Sequence, residues 1–262
     1  MKDADGLNER QKSILDLVEQ NGFVATDELR QEFDVTPQTI RRDINLLCDR
    51  RLLKRFHGGA GIANNTQNDP YPDRKTTSLP AKQIIARMAA AHIPDGASVF
   101  LNIGTTAEAL AMELQDKKNL RIVTNNINIA NILRQNETFD VMIAGGLVRQ
   151  SDGGIVGEAT TDFIKQFRLD IGVLGVSGIE EDGALVDFDY QEIRSAQAII
   201  RNSKLVFLLA DASKFGRRAM IRMGTYADID HIFTDSPPPP EFLNAIDTSE
   251  IILHVPNTSD QG

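Results

Sequence analysis

With one cysteine in 262 residues, the chain can form no internal disulfide. Cys48 falls at an apolar position of a predicted helix and reads as a small core residue, not as a nucleophile or metal ligand. The four histidines, His57, His92, His231 and His254, are scattered along the chain, without i, i+4 spacing and without cysteine companions. No zinc, redox or other cofactor is therefore implied. Long apolar runs are missing as well. Nothing approaches the roughly 18 residues that a membrane span requires, and residues 1–8 are polar and acidic rather than signal-like. The expectation is a cytoplasmic protein with no membrane partner. Also absent is the positive excess usual in a nucleic-acid binder, for the net charge is −9.

That charge is unevenly spread. Residues 36–57 carry Arg41, Arg42, Arg50, Arg51, Lys54 and Arg55 against only Asp43 and Asp49, so the base is local and the acid lies elsewhere. An acidic body repels phosphates away from such a head and favours end-on docking of a small basic face. Hydrophobic residues at 41% and charged residues at 25% are ordinary globular composition, which excludes long disorder except near the ends. The length suits a small head joined to a middle-sized body.

In the head, residues 1–60, apolar periodicity predicts three helices and a wing. Ile14, Leu15, Leu17 and Val18 recur at helical spacing, Asn8 stands as N-cap, and Gln11 completes a capping box. Gly22 ends that helix. Thr26 caps a short second helix reaching Phe33, Asp34 and Val35 make a turn, and Thr36 caps a third. Pro37 suits the first helical position, where its missing N–H is an orphan anyway. Ile40, Ile44 and Leu47 form the buried stripe of this helix, which ends near Arg50. Residues 52–56 alternate as a short strand, and His57-Gly58-Gly59 offers the turn of a wing. Helix, tight turn and capped helix make a helix-turn-helix, whose second element enters the major groove. With Ile40 and Ile44 inward, Gln38, Thr39, Arg41 and Arg42 fall on the other faces. Gln38 can bond adenine, an arginine can bond guanine, and Thr36 and Thr39 can reach phosphate or a thymine methyl. Lys54, Arg55 and His57 are the wing's candidates for phosphate or minor-groove contact. The competing reading is an interaction module whose Arg41-Arg42 pair is a solvated face.

Residues 61–79, rich in Asn, Thr, Asp and Pro and without periodicity, read as a linker. The body then spans residues 80–255, with a tail at 256–262. After a helix at 80–92, apolar runs at 98–103, 121–124, 141–144, 171–175, 205–210, 231–234 and 251–255 alternate with helical patterns. This is an α/β architecture with a mostly parallel sheet covered on both faces. Ligands bind at the carboxyl ends of such strands. There Gly104, Thr105 and Thr106 lead into a helix, Asn125 and Asn126 follow the second strand, Gly145 and Gly146 the third, and Lys214 follows the run at 205–210. Amides and hydroxyls for a polyol, glycines for close backbone approach and a lysine for a phosphate form a coherent effector site. Any one such loop is more often a plain turn; their common register with strand ends points to a site.

Thr36-Pro37-Gln38-Thr39-Ile40-Arg41-Arg42-Asp43-Ile44-Asn45 and Arg55-Phe56-His57-Gly58-Gly59-Ala60 resemble the recognition helix and wing of the DeoR family of bacterial transcription regulators. The resemblance continues through Gly104-Thr105-Thr106, Thr124-Asn125-Asn126, Gly145-Gly146, Phe188-Asp189-Tyr190, Ser213-Lys214-Phe215-Gly216 and Thr234-Asp235, and covers the chain from about residue 7 to residue 255. It implies a repressor of double-stranded operator DNA, assembled through its body as a homo-oligomer, dimer or tetramer. It implies induction by a small phosphorylated polyol or sugar, most nearly glycerol 3-phosphate. The family's sensor domain is similar in fold to ribose-5-phosphate isomerase, which keeps a sugar-phosphate isomerase as the second reading. Glu180, Glu181, Asp182, Asp187, Asp189 and Glu192 are its candidate carboxylates. A repressor that destroyed its inducer would give only transient release, so no catalytic residue is expected.

Overall fold

The structure, a computed structural model, describes residues 7–21, 23–50, 52–56, 59–62, 68–247 and 250–256. The chain divides into two compact units, Met1–Asn65 and Thr66–Gly262.

In the first unit, α1 (Glu9–Asn21), β1 (Phe23–Ala25), α2 (Thr26–Phe33), α3 (Pro37–Asp49), β2 (Leu53–Phe56) and β3 (Gly59–Ile62) follow one another. The capping box at α1 is reciprocal: Gln11 N donates to Asn8 Oδ1 at 2.9 Å, and Asn8 N donates to Gln11 Oε1 at 3.1 Å. At α3, Thr39 N donates to Thr36 Oγ1 at 3.3 Å, and Pro37 opens the helix. Ile14, Val18, Leu29, Ile40, Ile44, Leu47 and Leu53 bury against one another as a core for this unit, with Cys48 packed on it. β3 lies between β1 and β2, antiparallel to both. Three residues are too few for a period of two to show, so β1 is defined only by its pairing partner.

The segment 61–79 is not the structureless linker expected. Gly61 and Ile62 pair with Lys54 and Leu53 in the wing, and α4 (Tyr71–Thr76) is helical before α5 (Leu79–Ala91) begins. Polar bonds to the body hold α4, and such bonds leave no apolar period in the sequence.

Beyond α5 come β4 (Ser98–Leu101), α6 (Thr105–Glu113), β5 (Arg121–Thr124), α7 (Ile127–Leu133), β6 (Asp140–Ile143), β7 (Leu147–Val148), β8 (Ile155–Val156) and α8 (Glu158–Ile164). The chain continues through β9 (Leu169–Gly175), β10 (Gly178–Ile179), β11 (Ala184–Asp187), α9 (Tyr190–Arg201), β12 (Ser203–Leu209), β13 (Ile221–Thr225), β14 (His231–Phe233), α10 (Pro240–Asp247) and β15 (Ile252–His254). The seven apolar runs become one seven-stranded sheet of order β15-β14-β12-β9-β4-β5-β6. Every neighbouring pair in it is parallel. Val99, Leu101 and Val173 pack on one side against Ile85, Leu110 and Leu133. Phe100, Leu174 and Leu208 pack on the other against Ile164, Ile199 and Phe242. Burial on both faces is why the central strands β4, β5 and β9 read as continuous apolar runs rather than alternating ones, whereas the edge strands β6 and β15 are half-buried to exposed. The small antiparallel sheet β10-β11-β13 carries no comparable run and was not foreseen.

Strand order places the site. β4 enters the middle of the sheet, β5 and β6 extend it on one side, and the chain then returns to lay β9 on the other side of β4. The connections after β4 and β9 diverge, which opens a crevice at their carboxyl ends, the switch point where open α/β sheets bind ligands.

His92, His231 and His254, scattered in sequence, are gathered in space. His231 Nδ1 lies 2.9 Å from His254 Nε2, the His92 ring lies 4.3 Å from that of His254, and Phe233 stacks on His254 at 4.4 Å. Burial, helped by the charges of His92 and His231, lowers the His254 pKa to about 4. An unfolded chain, with histidine near about 6.5, binds a proton that the folded one refuses, so stability falls as pH drops from about 6.5 toward about 4. Urea unfolding at about pH 7 and pH 4.5 is expected to show a larger acid loss in the wild type than in His254→Phe, which keeps the stack. Equal losses would place the acid sensitivity elsewhere.

Candidate functional site

α3 turns one side to the core and the other outward. Ile40, Ile44 and Leu47 are buried, while Thr36, Gln38, Arg41, Arg42 and Asn45 are exposed and Thr39 is half-buried. Gln38, Arg41, Arg42 and Asn45 follow the spacing of one helical face. Asn45 was not among the expected contacts, although its distance of seven positions from Gln38 marks the same face. The hydroxyls of Thr36 and Thr39 lie 2.9 Å apart and are bonded to each other at the helix start, so capping is their first role. Lys54 and Arg55 stand in β2 opposite Gly61 and Ala60. His57 lies outside the described residues.

Asp43, one of the two acids in the basic segment, is withdrawn from solvent. It is 5% exposed and accepts from Arg10 Nε at 2.7 Å and from Gln11 Nε2 at 2.9 Å. Both carboxylate oxygens are satisfied, as a buried charge requires. The clamp ties α1 to α3 and fixes the rotation of the outward face.

In the body, α6 starts beside the switch-point crevice. Gly104, at φ 149°, precedes it, and a Cβ added there would meet nothing within 4 Å. The backbone is thus bare just where amides emerge. Thr105 Oγ1 donates to the carbonyl of Arg74 at 3.3 Å, and Thr106 is buried. Asn102, two residues upstream of Gly104, buries an Oδ1 that has no partner among the described residues.

Two lysines supply the charge. Lys82 of α5 is buried and donates to the carbonyl of Arg74 and, at 2.8 Å, to that of Thr77. Burial, with Lys214 and Arg74 adding to it and Asp211 opposing, lowers its pKa to about 8. Burial likewise lowers the pKa of Lys214, which follows β12, against the pull of Asp211. Neither ammonium has an ion-pair partner among the described residues. Ammonium groups taken from water without a carboxylate in contact are poised to take an anion. The sequence held a signal for Lys82: with Ile85, Ala86 and Ala89 it occupies the buried phase of α5.

Of the other expected effector residues, Asn125 is fully buried, donates to Ile155 O at 3.2 Å and leaves its Oδ1 without a partner among the described residues. Asn126 caps α7, with Asn128 N donating to it at 2.8 Å, and gives its own N–H to Glu108 at 3.2 Å. Gly145 O accepts from Thr160 Oγ1 at 2.9 Å. At Gly146, φ 153°, a Cβ would collide with Thr160 Oγ1 and lie 2.8 Å from Val156 O. Asn126 thus caps a helix, the Gly145 carbonyl is bonded, and Gly146 is closely approached by Thr160. Gly146→Ala is expected to cost about 1–3 kcal/mol by overpacking, read as a lower urea midpoint with effector affinity unchanged. A normal midpoint with weakened effector binding would return Gly146 to the site.

The acidic loop forms a network instead of a catalytic pair. Arg149 holds Asp152 at 2.8 and 2.7 Å, Asp189 at 2.6 Å and Glu192 at 2.8 Å. Burial and the neighbouring Asp187 raise Glu192 to about 7, while Arg149 pulls against them. Asp182 pairs with Arg222 at 3.2 Å, and Glu181 is exposed.

A helix-turn-helix unit followed in the chain by a parallel α/β unit is the domain order of a transcription regulator with a sensor domain. The model of a DeoR-like helix-turn-helix domain matches residues 10–66, and that of a DeoR C-terminal sensor domain matches residues 77–236. Over 247 residues, 94% of this chain and 98% of that one, the chain is 50% identical to the glycerol-3-phosphate regulon repressor of Escherichia coli (strain K12). It is 50% identical over 229 residues to the Haemophilus influenzae protein of the same name, covering 87% of this chain and 89% of that one. The chain belongs to the DeoR family, and with relatives named as repressors it is a regulator, not an enzyme. Ribose 5-phosphate isomerase A from Methanocaldococcus jannaschii aligns over 54% of this chain and 56% of that chain at 16% identity, with a TM-score of 0.40, a likeness too slight to bear on activity. No helix among the described residues is long and apolar enough to cross a membrane.

Proposed function

We propose that the chain represses genes of glycerol and glycerol 3-phosphate metabolism, holding double-stranded operator DNA until a small phosphorylated polyol, glycerol 3-phosphate, enters the body. Lys82 and Lys214, two ammonium groups without ion pairs among the described residues beside the switch point, are the observation that supports this reading most. The names of its half-identical relatives supply the metabolite. Gln38, Arg41, Arg42 and Asn45 are assigned to base edges, and Thr36, Thr39, Lys54, Arg55 and His57 to the DNA backbone. Gly104, Thr105 and Thr106 meet the ligand with amides and hydroxyls, and Lys214 and Lys82 meet its phosphate. One small head offers too little contact for strong specificity, so the working form is a homo-oligomer that presents two heads to two half-sites, in the cytoplasm.

Release requires differential binding. If the effector favours the low-affinity arrangement by about 1–3 kcal/mol, operator affinity falls by about 5- to 150-fold. The test is an anisotropy titration of operator-bound protein with phosphorylated polyols and sugars and their unphosphorylated parents. Release by glycerol 3-phosphate and not by glycerol is expected. Equal release by both contradicts phosphate recognition, and release by a different sugar phosphate alone moves the chain to another pathway.

A further inference from the structure

Residues 63–67 are all that separate the wing strand β3 from a stretch, residues 68–77, that is fastened around the crevice. Asn68 Nδ2 donates to Ser177 Oγ at 3.1 Å, just beyond β9, and Asp69 pairs with Arg217 at 3.0 Å. Tyr71 OH donates to Glu108 Oε2 at 2.9 Å and accepts from Asn128 Nδ2 at 3.0 Å. Arg74 Nη2 reaches Asp152 Oδ2 at 3.2 Å, and the Arg74 carbonyl accepts from both Lys82 and Thr105. The stretch is thus tied to the ends of β4 and β9 on both sides of the switch point.

Among these ties, the one at Arg74 is the most easily given up. Arg149 already holds Asp152 through both oxygens, at 2.8 and 2.7 Å, closer than Arg74 holds it. Arg74 is therefore a guanidinium sharing an anion that another guanidinium neutralises, and its side chain is 20% exposed. Its own carbonyl carries the ammonium of Lys82. A phosphate offers the guanidinium fork a bidentate partner of higher charge.

We infer that residues 68–77 form one wall of the effector site and that an organophosphate dianion captures Arg74 from Asp152, shifting the strap through which the head is attached. The inference rests on the effector reading above and adds its route. A ligand that recruits Arg74 binds the shifted strap better than the unshifted one, and that difference is what linkage needs.

The experiment uses the full-length chain, a duplex selected by it from random DNA, and glycerol 3-phosphate as probe. Calorimetry reads probe binding and anisotropy reads operator affinity. Arg74→Gln is expected to weaken probe binding by about 10-fold or more, the loss of a charge-assisted contact. At saturating probe its operator affinity should stay within about twofold of the probe-free value, against about 5- to 150-fold release in the wild type. Tyr71→Phe cuts only the tie to Glu108 and Asn128 and leaves Arg74 in place, so the release factor should change by about threefold or more. Wild-type release in both variants overturns the strap and leaves the effector reading standing. A wild-type chain that neither binds nor responds to the probe removes both. Should Arg74→Gln fail to fold, Tyr71→Phe decides together with hydrogen exchange across residues 68–77 with and without probe. Unchanged release and unchanged exchange overturn the inference.

Discussion

Arg41→Ala is expected to abolish operator retention at protein concentrations that saturate the duplex with wild type, while glycerol 3-phosphate binding by the body stays the same. Arg41 is exposed on α3, and the buried side of that helix is set by Ile40, Ile44 and the Asp43 clamp. A bidentate arginine–guanine contact is worth about 1–3 kcal/mol of discrimination, so two heads on two half-sites lose about twice that, a fall of roughly 30-fold to about 20,000-fold. The sequence dependence of the loss tells which contact was removed. A base contact relaxes specificity at one position of the half-site, whereas a phosphate contact weakens all duplexes alike and reduces the salt slope by about one per contact. Unchanged affinity for every duplex would move recognition off this helix. Asp43→Asn gives a useful contrast, because it loosens α1 from α3 without removing any group from the outward face.

Lys214→Ala is expected to weaken glycerol 3-phosphate binding by about 10- to 150-fold, the loss of a charge-assisted hydrogen bond worth about 1.5–3 kcal/mol, and to leave a repressor that the effector no longer releases. Operator affinity without effector should not change. Stability separates this outcome from simple damage. Burial depresses the Lys214 pKa, so the empty protein carries this charge at a cost that the alanine variant escapes. The effector-free variant should therefore melt no lower than wild type. A lower melting temperature together with intact effector binding would make Lys214 a structural residue and leave the phosphate to Lys82 and the Gly104 turn.

The features legible in the sequence are those whose causes lie within a few residues. The caps at Asn8 and Thr36 close through partners three positions away, and both were readable as Asn-x-x-Gln and Thr-Pro. The strands showed as short apolar runs, most clearly β4, β5 and β9 in the middle of the sheet, which are buried on both faces and so are apolar almost throughout. Gly104 and its threonines could be read as a strand-to-helix turn for the same local reason. The burial and pairing of Asp43 were not legible, because its partner Arg10 is 33 residues away. Gly146 looked like room for a ligand, but the group that approaches it is Thr160, which comes from α8.

By itself the sequence determined a capped reading helix with a basic outward face, a separate core for each unit, and a family. These follow from helical period, turn chemistry and apolar runs, all short-range consequences of side-chain type. The tertiary structure alone decided which cations gather at the strand ends, for Lys82 and Lys214, without an ion pair among the described residues, and Arg74, which shares Asp152 with Arg149, come from three separate elements and meet only in the folded body. Burial and pairing belong to the space between elements, which no window along the chain contains.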